Sequence, residues 1–248
     1  MENAQLISLS RQMALQRQMD VVANNLANIN TTGFKGEQML FEQYLMPVAR
    51  DKDFAYPDQP LHYVEDWATI HDMANGAITQ TGNPLDVALN GEGFLTVQTP
   101  AGERYTRSGS LQINAEGILV DLQGNPVLAD GGQVQFDETD TDISISPTGV
   151  ISTATGAKGR LQVVEFTSPE QLTRAGDNLY AAAEDAEFLP AIATSVTQGA
   201  IERSNVSGVR EMTEMIRVSR AYESIAGQMQ KQDEMRRTAI QRLGDANA

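Results

Sequence analysis

The sequence predicts a mixed α and β protein: N- and C-terminal helices pairing as a coiled coil, and a central antiparallel, mainly-β domain of sandwich or barrel form. Three observations predict it. Leu15, Met19, Val22, Leu26 and Ile29 recur at alternating spacings of four and three, which is the seam of a helix that packs on another helix. Met215, Val218, Tyr222, Ile225 and Met229 repeat that seam at the other end of the chain. Between them, short apolar runs alternate with Gly-containing turns about every ten residues, the rhythm of an antiparallel sheet. The implied organisation is a helix and its tail over 1–35, an extended linker over 36–75, a β domain over 76–204 and a helix over 205–248.

The first helix is expected to start near Asn3 and run to about Ile29, some 40 Å at 1.5 Å per residue. Asn24, Asn25 and Asn28 are poor helix formers close together, better suited to hydrogen-bonding neighbouring backbone or subunits than to a solvated face. Gly33 stands where a helix stops, because glycine takes the left-handed position without a Cβ clash. From Gly36 to Asn75, Phe41, Tyr44, Leu45, Phe54, Tyr56, Leu61, Tyr63 and Trp67 follow neither period for long, and Pro47, Pro57 and Pro60 interrupt them. This reads as an extended segment anchored by aromatic residues on its own subunit or on a neighbour.

Strands are expected over 85–90, 93–99, 103–108, 110–114, 118–121, 127–128, 134–136, 143–146, 150–153 and 161–167, with turns at Gly91, Gly102, Gly109 and Gly117. A short helical turn at 169–172 and extended runs at 188–190 and 192–196 follow. Ser204-Asn205-Val206-Ser207 supplies capping residues for the last helix, with Glu211 and Glu214 near its start and Arg236, Arg237 and Arg242 near its end, the order a helix dipole favours. Glu214 with Arg217, and Arg220 with Glu223, are opposite charges three apart.

The net charge of −15 is unevenly held. Both termini, 1–35 and 207–248, are each +1, whereas 36–206 holds 8 basic against 25 acidic residues. Near-neutral ends can pack against copies of themselves while the acidic middle stays solvated. That balance argues against nucleic-acid binding. No run approaches the roughly 18 apolar residues of a membrane span. The N-terminus lacks the basic and apolar regions of a cleaved secretory signal, so direct membrane insertion is not expected.

Catalytic chemistry has little to draw on. With no Cys and two His, triads and zinc sites are not expected, and no metal or other cofactor is called for. Gly91-Glu92-Gly93 reads as a hairpin turn rather than a phosphate cradle, because a third Gly and a following helix are missing. Asp137-Glu138-Thr139-Asp140-Thr141-Asp142 lacks the turn Gly and distal Glu of a calcium loop. The chain reads as a non-enzyme.

Several stretches resemble the axial proteins of the bacterial flagellum, rod and hook. Ala23-Asn24-Asn25-Leu26-Ala27-Asn28 through Gly33-Phe34-Lys35 is similar to that family's N-terminal signature. Asn83–Phe94, and Tyr105–Leu111 followed by Gly117–Val120, resemble its β-domain entry and the strand pair after it. Ser204-Asn205-Val206, Glu211-Met212-Thr213 and Arg220-Ala221-Tyr222-Glu223 resemble its C-terminal signature. The order is right over nearly the whole chain, and the opening residues and length look most like proximal-rod members, with distal-rod members next.

The resemblance implies a structural rod subunit in the periplasm, exported without a cleaved signal by the flagellar type III export apparatus. Other copies of itself and other rod proteins would be its partners, with the terminal helices as an inner layer and the β domain outside. Its signature residues here would be Asn24, Asn25, Asn28, Gly33, Phe34, Asn205, Arg220 and Tyr222. The two seams would be the assembly interface: alone they are too narrow to hold their helices, and burial at roughly 1.5–3 kcal/mol per side chain orders them only among neighbours. The reading from a different class is a secreted β-domain binding module on a coiled-coil stalk.

Overall fold

The computed structural model describes residues 2–46, 61–183, 186–191 and 193–245. The chain forms two compact units. One, the helical unit, gathers residues 1–26, 37–70 and 207–248; the other, the β unit, gathers residues 27–36 and 71–206. A helix at each end and antiparallel strands between them bear out the mixed α and β class.

Helix α1 spans Glu2–Ala27 and helix α2 spans Gly208–Asp245. Two side-chain hydrogen bonds join them: Gln18 Nε2 donates to Glu214 Oε1 at 2.8 Å and Asn25 Nδ2 to Glu211 Oε2 at 3.3 Å. The α1 partner moves back along its chain as the α2 partner moves forward, so the helices run in opposite directions. Glu214 is also gripped by Arg217, whose Nε lies 2.8 Å from Oε2, and this holds its carboxyl below the usual range. The segment read as an extended linker supplies two long strands, Glu37–Met46 and Leu61–His71, forming one two-stranded sheet. Phe41, Tyr44, Leu45, Leu61, Tyr63 and Trp67 lie within those strands, so backbone pairing imposes an order that the uneven hydropathy did not announce. Phe54, Tyr56, Pro47, Pro57 and Pro60 lie outside the described residues.

The β unit is built on a six-stranded sheet in the order Thr173–Gly176, Leu179–Ala181, Gly102–Thr106, Phe94–Thr99, Val163–Phe166, Phe188–Pro190. Every pairing in it is antiparallel. Alternation along its central strand sends Leu95 and Val97 to one face and Phe94 to the other. The first face joins Val87, Leu119, Val127, Ile151, Leu161 and Val196 in the main core. The second carries an aromatic cluster in which Phe94, Tyr105, Phe166 and Tyr180 meet edge to face. A three-stranded sheet of Ser144–Ile145, Val150–Thr153 and Gly156–Arg160 flanks the main core, and the other described strands pair two by two.

Leu95 is fully buried and touches the main core from the middle of the sheet. Leu95→Ala should cost about 2–5 kcal/mol of unfolding free energy in a urea titration, the range for a core leucine whose site cannot collapse.

Candidate functional site

The signature turn after α1 belongs to the β unit. Helix α1 stops at Ala27, and Thr31 caps the turn by donating from its backbone N to Asn28 O and from Oγ1 to Asn28 Oδ1, at 3.1 and 3.0 Å. Ile29, expected to end the helical seam, therefore lies in this turn and not on the helix. Gly33 has φ +67°, and a Cβ there would stand 2.4 Å from the Arg107 carbonyl. Both conformation and space demand glycine. Its N–H donates to Glu202 O at 2.8 Å. Phe34 is buried under the Arg174 guanidinium, 4.2 Å from the ring centroid, while Arg174 Nη2 donates to Lys35 O and Asn178 Nδ2 to Thr32 O.

Below the turn lies an ion cluster that is almost wholly dry. Lys35, Arg107 and Glu202 are 1%, 2% and 1% exposed. Glu202 Oε1 accepts from Lys35 Nζ at 2.7 Å and from the Gly76 N–H at 2.8 Å; its Oε2 stands 3.2 Å from Arg107 Nε. Lys35 Nζ donates a second bond to Ala74 O at 2.8 Å. Arg107 donates to Gly91 O at 2.7 Å, to Gly93 O and to Asn75 Oδ1. The Gly91-Glu92-Gly93 turn is thus a carbonyl cradle for a guanidinium, and Phe94 lies beneath that cation at 5.6 Å. Burial, then Arg107, push the Lys35 ammonium below its ordinary value, with Glu202 and the more distant Asp72 opposing; burial also pushes Arg107 down. Two cations share one carboxylate, and their remaining donors point at carbonyls. That arrangement fixes chain segments against one another.

Asn205 completes the site and does not cap α2, as the sequence had suggested. Its Oδ1 accepts from Gly36 N at 2.8 Å, and its Nδ2 donates to Asp72 O and Ala74 O at 2.8 and 3.1 Å. The first turn of α2 is closed by the backbone instead, Glu211 N donating to Ser207 O at 3.0 Å.

The remaining expected residues lie in the helical unit. Val22, Val218 and Ile225 are buried, while Leu15, Met19, Leu26, Met215, Tyr222 and Met229 are half-buried. Asn25 is buried, and its side chain both donates to Glu37 O at 2.8 Å and accepts from Glu37 N at 2.9 Å, the backbone bonding expected of it. Asn24 and Arg220 are exposed. Lys35, Arg107 and Glu202 were not singled out as site residues, although the first two lie inside resembling stretches. Two carboxylates of the acidic run at 137–142 are paired with one lysine, Lys158 Nζ standing 2.6 Å from Asp140 Oδ2 and 3.1 Å from Asp137 Oδ2.

Comparison with known proteins follows the same three regions. Residues 6–35 match the family described as flagella basal body rod protein, residues 88–153 the flagellar hook protein FlgE/F/G D1 domain, and residues 197–242 the flagellar basal body rod FlgEFG protein C-terminal family. The flagellar basal-body rod protein FlgF of Caulobacter vibrioides is 40% identical over 248 residues, all of both chains. FlgF of Mesorhizobium japonicum is 32% identical, covering 98% of this chain and 99% of that one. FlgG of Buchnera aphidicola subsp. Acyrthosiphon pisum is 32% identical over 90% of this chain and 92% of its own.

The cluster predicts an asymmetry. Glu202→Gln leaves two buried cations without a counter-charge and should cost about 3–5 kcal/mol, whereas Lys35→Met leaves an intact Arg107–Glu202 pair and should cost less than about 2 kcal/mol in the same urea titration. The Lys35 shift also fixes a sign. Between its lowered folded value and the unfolded value of 10.5, the unfolded chain holds the proton that the folded chain has lost. The stability contributed by this group therefore rises with pH through that window. Subtracting a Lys35→Met series from the parent's unfolding free energies, from pH 7 to 10.5, should give a positive slope.

Proposed function

Because the chain belongs to the family of flagellar basal-body rod proteins, we propose that it is built into the proximal part of the rod, polymerising helically through its two terminal helices. It is a structural subunit of the flagellar basal body and not an enzyme, and its associates are other rod components. The observation that carries the finer reading is the 40% identity to a FlgF protein along the whole of both chains. FlgG relatives cover 85–90% of the chain at 30–32% identity, which keeps a distal-rod position as the second reading.

In this reading the helices pair as a coiled coil in an inner layer, and the rod so formed carries torque across the periplasm. The subunit leaves the cytoplasm by the type III export apparatus, and its helices order as copies and other rod subunits close around them. Support comes from the occlusion of Val22, Val218 and Ile225 on one side of each helix and from the two antiparallel side-chain bonds. Burying a valine or isoleucine is worth roughly 1.5–3 kcal/mol, so one charge placed there removes more than a marginal helix pair can lose.

The test is complementation of a strain lacking this subunit, scored by swimming and by isolated basal bodies. Val218→Asp and Ile225→Asp should abolish rod completion, whereas the exposed Gln228→Ala should restore swimming in full. Normal rods from both Asp variants would show that the seam is not the assembly surface.

A further inference from the structure

The chain passes between its two compact units four times, at 26/27, 36/37, 70/71 and 206/207. On the β-unit side, residues bordering three of these passages are bonded to one another. Gly36 O accepts from Asp72 N at 2.8 Å, Gly36 N donates to Asn205 Oδ1 at 2.8 Å, and Asn205 N donates to Phe34 O at 3.3 Å. Asn205 Nδ2 closes the ring on Asp72 O at 2.8 Å. Beneath it Glu202, on the third segment of the crossing, binds the other two: its backbone O takes Gly33 N, and its carboxylate takes Lys35 Nζ and Gly76 N.

We infer that this ring is a preformed clamp, folded by the β unit alone, which holds three exits of the chain at fixed places whether or not the terminal helices are ordered. Gly33, Phe34, Lys35 and Asn205 are then clamp residues, and their part in the signature stretches is to set where chain leaves the β unit. The physical ground is that every partner named lies in the β unit. Lys35 and Glu202, 167 residues apart, are as buried as the core beside them. None of these bonds draws on α1 or α2 beyond their ends. The inference concerns the β unit alone and does not rest on the rod reading.

Amide hydrogen exchange on the full-length chain, kept dilute and unassembled, tests it. The amides of Gly33, Gly36, Asp72, Gly76 and Asn205 should exchange on the timescale of Phe94–Thr99, at least about a hundredfold slower than exposed amides. In Glu202→Gln they should exchange about tenfold or more faster than Phe94–Thr99, whose own exchange rises only as far as the loss of global stability carries it. Should that variant not fold, Asn205→Ala removes three side-chain bonds without stranding a charge, and should speed Gly36 and Asp72 by a similar factor. Fast exchange of the five amides in the parent chain, with Phe94–Thr99 protected, overturns the clamp. So does an Asn205→Ala variant in which Gly36 and Asp72 remain as slow as before. The helices give a separate reading: protection of α1 and α2 in the dilute chain counts against ordering by assembly, and the five clamp amides decide the clamp independently of it.

Discussion

Glu202 is the one carboxylate on which the junction of the β unit depends. Taking a charge out of water costs several kcal/mol even after the protein relaxes, and two cations double the cost. The cluster recovers it only because nearly every donor has a named acceptor. Lys35 has Glu202 and Ala74 O, Arg107 has three oxygens and the facing Oε2, and the carboxylate has the Gly76 N–H besides its two cations. Phe94 and the Gly91–Gly93 turn hold the Arg107 side of the cluster in place. The signature turn lies on this floor, and its glycine is fixed by the carbonyl of Arg107 itself.

The consequence runs outward along the chain. Gly36, where the chain leaves the β unit, and Asp72, just after it returns, are hydrogen-bonded to each other, and Asn205 adds a third passage. All of these bonds are made within the β unit, and they tie the β-unit ends of the three passages to one another. The helices have the opposite character. Their seams are one residue wide, with large apolar side chains such as Met13, Val209, Met212 and Ile216 left exposed on other faces.

Periodicity carried the helices and much of the sheet. Val150–Thr153 and Phe188–Pro190 stand at the residues their patterns indicate, because each alternates or runs apolar between clear turn residues. Gly156–Arg160 gave no such signal. Gly-Ala-Lys-Gly-Arg has no strand propensity and is held by pairing with Val150–Thr153, a bulge absorbing the misfit. Leu179–Ala181 was missed, although Tyr180 is fully buried. At the junction, Asn25 was legible as a backbone binder and Gly33 as a left-handed residue, both local properties. Asn205 was misread as a helix cap because Ser-Asn-Val-Ser has cap chemistry wherever it occurs. The Lys35–Glu202 pair was not legible at all, since nothing local in either residue names a partner so far along the chain.

That illegible pair also explains why polar groups, rather than a plug of leucines, hold the junction. An apolar replacement of the same volume would be as stable or more so, because buried ion clusters return little beyond their desolvation cost. Leucines, however, pack acceptably in several registers. Glu202 accepts Gly33 N at its backbone and Lys35 at its carboxylate, two residues apart on one turn, and a slip of one residue would break both bonds and drive a Cβ into Arg107. The carboxylate therefore selects one register of the turn against the sheet.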